Sequence, residues 1–492
     1  MISLVIACVI AIASDGHPPI VIRHVTVIDT TGGPALLGRT VVVSGGLIAQ
    51  VVVDDAYSPV SPDAKVIDAT GKFLIPGLWD MHVHLASESG LPLFLANGVT
   101  GVRVMWGNPA MTGFPVPHTA WRKAIDAGTK VGPRMIIASN ILDGPRPIWP
   151  GSVAIHNEAE ARKAVRDAVT GGADFIKVYS MIEPGPFRAI ADEAKMRGIS
   201  FAGHVPTLLS ATEASNLGQK SMEHLYGIFA ACSPLEAEML VVRKTILEET
   251  KGDWFAARAK LGPIDARLRD TYRDDLAAAL FARLKANNTW QCPTLIVLRS
   301  LGSMNDPDFI KDDRLKYIDP FVRLYWDPRN DSRFKSMKAE DYAAQRKSFE
   351  RGLELVGKMH RAGVSFLAGT DEANPYVFPG FSLHDELALL VKAGFSPLDA
   401  LQTATLNPAR YLGREAIAGS VAPGKEADLI LLDADPTLDI ANTKRIYAVF
   451  ARGRFRNRAA LDEMLKSADA TRRFGPKPSA GLLPSAGACP DH

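Results

Sequence analysis

Two histidines two residues apart, His82 and His84 in "DMHVH", follow the apolar run "FLIPGLW". In a β-strand, side chains alternate between faces, so His82 and His84 share one face and Met81 and Val83 the other. Two neutral imidazoles converging on one point suit a divalent metal such as zinc. Two polar residues on the open face of a half-buried strand would look the same, so the triplet alone does not decide. Four further residues have the right types: Lys177 in "DFIKVYS", His204 in "FAGHV", His224 in "SMEHL" and Asp371 in "AGTDEANP". Each also has a plain structural reading. His204 can be a satisfied core histidine, His224 can tie down a neighbouring loop, and Asp371 can be a helix N-cap. Lys177 is harder to explain, because a lysine between Ile176 and Val178 in an apolar strand is costly to bury as a cation unless something pairs with it.

The elements that must position these residues are legible as a rhythm. Between about residues 76 and 415, apolar strands alternate with amphipathic helices, and Gly closes several helices, as in "AKMRGIS" and "MHRAGVSF". Eight strand candidates, at 77–84, 98–105, 134–140, 174–180, 199–205, 220–225, 290–297 and 364–371, predict an α/β fold, a (β/α)8 TIM barrel, with a doubly wound open sheet as the alternative. In a barrel the chemistry lies at the C-terminal strand ends. His82 and His84 fall at the end of the first strand, Lys177 near the end of the fourth, His204 at the fifth, His224 at the sixth and Asp371 at the eighth. Of eleven histidines, His17, His24, His118, His156, His360 and His492 fall outside such positions. The stretches around 234–289 and 300–360 flank the seventh strand and read as enlarged barrel helices or lids.

Segments 15–75 and 416–460 are rich in β-branched residues punctuated by Gly and Asp, which predicts one small β-sandwich domain assembled from both ends of the chain. Residues 461–492 read as a C-terminal helix and a Pro/Gly/Ser-rich tail. Residues 1–14 carry an apolar run of signal-peptide length, too short for comfortable membrane crossing, which predicts a signal peptide and an exported, periplasmic or secreted protein. The run lacks a basic start, and if it is not a functional signal the chain is cytoplasmic. No other stretch is long and apolar enough to span a membrane, so no stable span is expected in the mature chain. Composition is that of a globular protein, 47% hydrophobic and 22% charged. A net charge of +2 offers no field for nucleic acid. A small-molecule substrate is the expected partner, and a homo-oligomer is left open. The four cysteines, Cys8, Cys232, Cys292 and Cys489, lack metal-site spacing. In an oxidising compartment Cys232 and Cys292 could form a disulfide.

In this order, "DMHVH", "DFIKVYS", "FAGHV", "MEHL" and "AGTD" resemble the amidohydrolase superfamily, in particular its binuclear metal-dependent hydrolases of the imidazolonepropionase-like and prolidase-like branch. The flanking "VTVIDTTGG", "KVIDATGKFLIPGLWDMHVH", "TATLNPARYLG" and "GSVAPGKEADLILLDADP" extend the resemblance over nearly the whole mature chain. It implies two divalent metal ions, usually zinc. His82, His84 and Asp371 would hold the more buried ion and His204 and His224 the second. Lys177, carboxylated by carbon dioxide to a carbamate, would bridge them. Asp371 would also be the catalytic base. The implied activity is hydrolysis of a C–N bond in an amide, dipeptide or N-acyl amino acid by a metal-bridging hydroxide. Lactone or phosphotriester hydrolysis at the same site is the alternative, and a non-catalytic assembly protein the alternative of another class. The frequent Arg-Asp pair near the second strand appears here as "GVRVMWG", with Val104 in the acid's place. Tyr179, Arg103 and His384 are candidate substrate contacts, each with a structural reading beside it.

Overall fold

The structure, a computed structural model, describes residues 18–59, 61–107, 116–331 and 333–469. The predicted signal segment 1–14, Cys8, Cys489 and most of the predicted tail therefore lie outside the described residues.

Near the N-terminus, β1 (Ile20–Val27), β2 (Leu36–Ser44), β3 (Leu47–Val53), β4 (Lys65–Asp68) and β5 (Phe73–Pro76) follow one another as short β-branched strands. β1 bonds antiparallel to β2 on one edge, and parallel to β4 and then β5 on the other. The sheet continues from β5 into strands from later in the chain, β15 (Leu429–Leu432), β16 (Ile446–Ala451) and β17 (Arg454–Asn457), so the two β-rich segments share one sheet. Instead of two separately bonded layers, it is a single eight-stranded sheet that branches at β1. Ile22, Val25, Val27, Val41, Val43, Leu74, Leu429, Leu431 and Phe450 close its core.

The middle of the chain supplies parallel strands: β6 (Leu78–Val83), β7 (Val99–Val104), β8 (Arg134–Ile137), β9 (Leu142–Asp143), β10 (Val153–Ala154), β11 (Ile176–Val178), β12 (Phe201–Gly203), β13 (Ser221–Glu223) and β14 (Trp290–Cys292). They form two sheets, β6-β7-β8 and β10-β9-β11-β12-β13-β14. β6, β7 and β11 to β14 are buried along their whole length, which is why they read as apolar runs without alternation. Isolated parallel bridges join Ala138 to Phe175, Gln291 to Phe366 and Val83 to Glu372. The predicted eighth strand, 364–371, has no strand run of its own and engages its neighbours by single bonds. Met81 donates to the Ala368 carbonyl at 2.9 Å, Leu367 to that of Gln291 at 2.9 Å, and Asp371 to that of His82 at 2.7 Å. Gly369 lets it approach so closely: a Cβ there would stand 2.5 Å from Cys292 Sγ and 2.8 Å from His82 Cβ. The short strands β9 and β10 were not legible in the sequence.

Helices pack between these strands. The helix Glu158–Thr170 starts at Asn157, whose side chain accepts from Glu160 N–H, and buries Ala161, Ala164 and Val165 on one face. The helix Pro184–Arg197 stops at Gly198, whose φ of 65° suits glycine. The long segments around β14 are helical, with Glu236–Glu249, Trp254–Asp270 and Asp274–Ala286 before it and Leu295–Ser303, Pro320–Trp326 and Ala339–Arg361 after it. Among the described residues no helix is long and apolar enough to cross a membrane. Cys232 and Cys292 are both buried and free, so the disulfide considered from the sequence does not form here.

Candidate metal centre

β6 and β13 bring the first two partners together. Glu223, at the end of β13, accepts from His82 Nδ1 at 2.8 Å. Burial would raise the Glu223 carboxyl, but the Arg103 charge and the His82 hydrogen bond outweigh it and hold Glu223 well below the usual carboxylate range. A carboxylate on Nδ1 places the ring proton there and leaves Nε2 as a lone-pair donor, the usual outer-shell arrangement of a metal-binding histidine. That Nε2 is buried, has no hydrogen-bond partner among the described residues, and lies 3.2 Å from Asp371 Oδ1.

The other sequence-predicted ligands gather around the same point. His84 Nε2 is 2.9 Å from Asp371 Oδ1, and its Nδ1 is buried without a partner. The His224 ring centre lies 4.7 Å from that of His82 and 4.9 Å from that of His204, and His224 Nδ1 is 3.9 Å from Asp371 Oδ2. Thr294 Oγ1, 2.6 Å from His224 Nδ1, and Ser180 Oγ, 2.7 Å from His204 Nδ1, orient those two rings. Burial pushes His204 well below its ordinary value and His224 down to about 3, so both rings are neutral and able to donate lone pairs. Asp371 is also buried, which would raise it, yet His224 and His82 hold it well below the usual range, as a carboxylate.

Lys177 sits in the middle of β11, fully buried, with no hydrogen-bond partner for Nζ among the described residues. Burial pushes its amine down to about 8, against the opposing pull of Glu223 and Asp371. Among the described residues, His82 Nε2, His84 Nδ1 and Lys177 Nζ are buried without a hydrogen-bond partner. An orphaned buried donor or acceptor costs about 1–3 kcal/mol. His82, His224 and Asp371 offer ligand atoms within 4.8 Å of one another, and this donor set fits a divalent cation. A second grouping, His82, Glu223 and Cys292, fits less well. Glu223 is already engaged with Arg103, and burial drives the Cys292 thiol far up, away from the thiolate a metal needs.

The three candidate substrate contacts fall into different surroundings. Tyr179 belongs to the site wall, its ring stacked on His204 at 3.9 Å and its hydroxyl accepting from Trp149 Nε1 at 2.7 Å. Arg103 is fully buried and wholly engaged with protein. Nε donates to the Met81 carbonyl at 2.6 Å, Nη1 to Ser221 Oγ at 2.9 Å and Tyr411 Oη at 2.8 Å, and Nη2 to both Glu223 oxygens at 3.0 and 3.2 Å. No donor is left over for a substrate, and Arg103 instead fixes Glu223. His384 is likewise buried, with Nδ1 2.9 Å from Thr443 Oγ1 and Nε2 3.0 Å from the Asn97 carbonyl, so it joins structural segments instead of facing a ligand.

Several residues of the site escaped the sequence reading. Glu223 stands beside His224, and an acid in the apolar strand "KSMEHL" was the available signal. Asp80 opens "DMHVH" and accepts from Thr370 Oγ1 at 2.7 Å, Thr370 N–H at 3.0 Å and His82 N–H at 3.2 Å, braces for both β6 and the segment before Asp371. Burial pushes its carboxyl up to about 7. Ser180 and Thr294 carried no such signal, since hydroxyls beside loops are common.

Comparison with known proteins places the chain in a family. A family model described as the amidohydrolase family matches residues 73–456. An adenine deaminase of Ruegeria pomeroyi is 33% identical over 455 residues, covering 90% of this chain but 58% of that protein, so the chain spans a little over half of this relative's length. Among solved structures, a bottromycin amidohydrolase superposes with a TM-score of 0.68 at 23% identity, covering 92% of this chain and 90% of that one. A Xaa-Pro dipeptidase, described with methionine bound in its active site, superposes at 0.63 and 19% identity, covering 89% of this chain and 100% of that one. At these identities the two structures speak for a shared fold.

Proposed function

We propose, from the premise that this chain belongs to the amidohydrolase family, that it is a metal-dependent hydrolase cleaving the C–N bond of an amide, dipeptide or N-acyl amino acid. The observation that carries the reading is the gathering of His82 Nε2, His84 Nε2 and His224 Nδ1 within 3.9 Å of the Asp371 carboxylate, with the buried Lys177 Nζ left without a partner among the described residues. His82, His84 and Asp371 would hold one divalent ion and His204 and His224 a second. Zinc is the first candidate for both, with Lys177 between them. Bound there, the two ions would activate water as a nucleophile and polarise the scissile carbonyl.

The chain's own residues supply the remaining parts. Asp371, kept as a carboxylate, accepts a proton from the attacking water and passes it to the leaving nitrogen. Lys177 adds through Nζ to the carbon of carbon dioxide and releases a proton, which turns an unpaired buried amine into a carbamate anion able to bridge two cations. Glu223 holds the His82 proton on Nδ1, and Arg103 holds Glu223. Tyr179 and Trp149 wall one side from solvent. We read β6, β7, β8, β11, β12, β13, β14 and the segment 364–372 as one eight-stranded barrel, supported by the parallel bridges at Ala138, Phe366 and Glu372. Export through residues 1–14 is part of the same proposal, and mass spectrometry of the mature N-terminus tests it.

Purified protein is expected to carry close to two divalent ions per chain by elemental analysis. It should hydrolyse members of a panel of dipeptides and N-acyl amino acids, and His204→Ala should lose one ion and most of the activity. Folded protein free of divalent metal after growth with zinc would remove the hydrolase reading and leave an assembly role. Turnover confined to lactones or phosphotriesters would move the substrate class.

A further inference from the structure

Residues of a helix that precedes β14 reach the rim of the site. The helix Trp254–Asp270 sets Phe255 against Trp149, ring centres 6.4 Å apart at 83°. Three residues along, on the same helix face, Arg258 donates through Nη1 to the Arg333 carbonyl at 3.0 Å. Arg333 is tied down in turn. It donates to Asp331 Oδ2 at 2.7 Å and to Asn374 Oδ1 at 2.8 Å, and its guanidinium lies 5.7 Å from the centre of the Trp149 ring. Asn374 reaches back to the Asp371 carbonyl at 3.0 Å, while Trp149 holds the Tyr179 hydroxyl that sits over His204. The rim therefore runs from Asp371 to His204 through Asn374, Arg333, Trp149 and Tyr179.

The two arginines differ in what balances them. Arg333 has the Asp331 carboxylate. Arg258 is partly buried, has no carboxylate within ion-pair distance among the described residues, and makes the one side-chain hydrogen bond just given. The charges that act on it are Tyr226, Arg333 and, without ion-pair contact, the carboxylates of Asp331 and Asp341, and burial outweighs them and lowers its pKa. Tyr226 is 43% exposed, and its ring centre lies 4.6 Å from that of His204 and 5.6 Å from that of His224. A partly buried guanidinium with no carboxylate in direct contact is stabilised by an incoming anion, and its planar fork matches a carboxylate in two parallel hydrogen bonds.

We propose that Arg258 is the anchor for a substrate carboxylate, so that this site favours N-acyl amino acids and dipeptides with a free α-carboxylate, held beside the aromatic wall of Trp149, Phe255 and Tyr226. The inference rests on the hydrolase reading above for which bond is cut, but the anchor can be tested without turnover.

The probes are N-methylsulfonyl-L-phenylalanine and N-methylsulfonyl-L-phenylalaninol, one acidic and one neutral, neither with an acyl C–N bond to cleave. Their binding to the zinc-loaded full-length chain is measured by calorimetry. The wild type is expected to bind the acid at least about tenfold more tightly than the alcohol, the size of a charged hydrogen-bonded contact. Arg258→Gln should bring that ratio to within about twofold, with Arg258→Lys between the two because it keeps the charge and loses the fork. Metal ions contribute equally to all three proteins, so the difference between them reports residue 258. Circular dichroism checks folding, and if Arg258→Gln does not fold, the Arg258→Lys ratio decides. Equal binding of acid and alcohol by the wild type, or a ratio unchanged in the variants, overturns the anchor. An Arg258-dependent preference without hydrolysis of any N-acyl amino acid keeps the anchor and removes the hydrolase reading. Hydrolysis without such a preference does the reverse.

Discussion

Arg103 places all three guanidinium nitrogens on protein partners, and the pair it makes with Glu223 is completely buried. Removing one member of such a pair leaves the other as an uncompensated charge, which typically costs about 3–5 kcal/mol. Arg103→Met is therefore expected to lower unfolding free energy by about that amount in urea titrations. It should also weaken metal retention, because Glu223 would no longer hold His82 in one tautomer. Arg103→Met combined with Glu223→Gln should recover part of the stability and little of the metal affinity. Stability lost equally in the single and double variants, with metal content intact, would show that the pair does not act through His82. At this scale the sequence was generous with candidate ligands and silent about their supports. A histidine at a strand end is conspicuous, whereas the role of Arg103 depends on Glu223, 120 positions away.

Elements impose their own requirements. Gly203 ends β12 at φ 140°, and a Cβ there would stand 2.1 Å from the Val178 carbonyl oxygen and 3.1 Å from Lys177 Cδ. Gly203→Ala thus strains the backbone and pushes β12 away from β11, an expected loss of about 2–4 kcal/mol with impaired metal binding through His204 and Lys177. Thermal unfolding and elemental analysis of the variant check both. The helix Phe381–Lys392 is pinned by His384 to Asn97 and Thr443, and burial pushes His384 down to about 4 from an ordinary 6.5. The unfolded chain binds a proton that the folded chain refuses throughout that window. The contribution of neutral His384 is therefore fully present above pH 6.5 and is lost as pH falls toward 4, on the order of 3 kcal/mol in all. His384→Gln should flatten the rise in stability between pH 4.5 and 6.5 relative to wild type; parallel curves for the two proteins would dismiss the linkage. The strand and helix rhythm made most of these elements legible in advance, but not the two-residue strands β9 and β10, nor the way 364–371 joins its neighbours through single bonds.

Across the described residues, the two β-rich segments and the candidate metal centre depend on shared structure. β15 bonds along β5, which leads directly into β6 and its histidines, and the Arg134–Asp428 ion pair at 2.5 Å links the two regions again. A chain ended after residue 415 would lose β15 to β17 with buried Leu429, Leu431, Val449 and Phe450, and is expected to yield little soluble protein with weak near-ultraviolet dichroism. Chelation should likewise lower the midpoint of thermal unfolding, with recovery on adding zinc, because a ligand present at a hundredfold excess over its Kd contributes about 2.7 kcal/mol. An unchanged midpoint would argue that the residues gathered around Asp371 do not hold metal. The sequence by itself indicated the α/β character and the kinship of the two β-rich segments, and it singled out His82, His84, Lys177, His204, His224 and Asp371 as candidates. These follow from local alternation and from residue types that stand out against apolar strands. Only the tertiary structure decided that Arg103 and His384 are braces, that Cys232 and Cys292 stay apart, and that Arg258 has no carboxylate in ion-pair contact among the described residues. Hydrogen-bond partners and counter-ions are set by proximity in space, and no pattern along the chain encodes them.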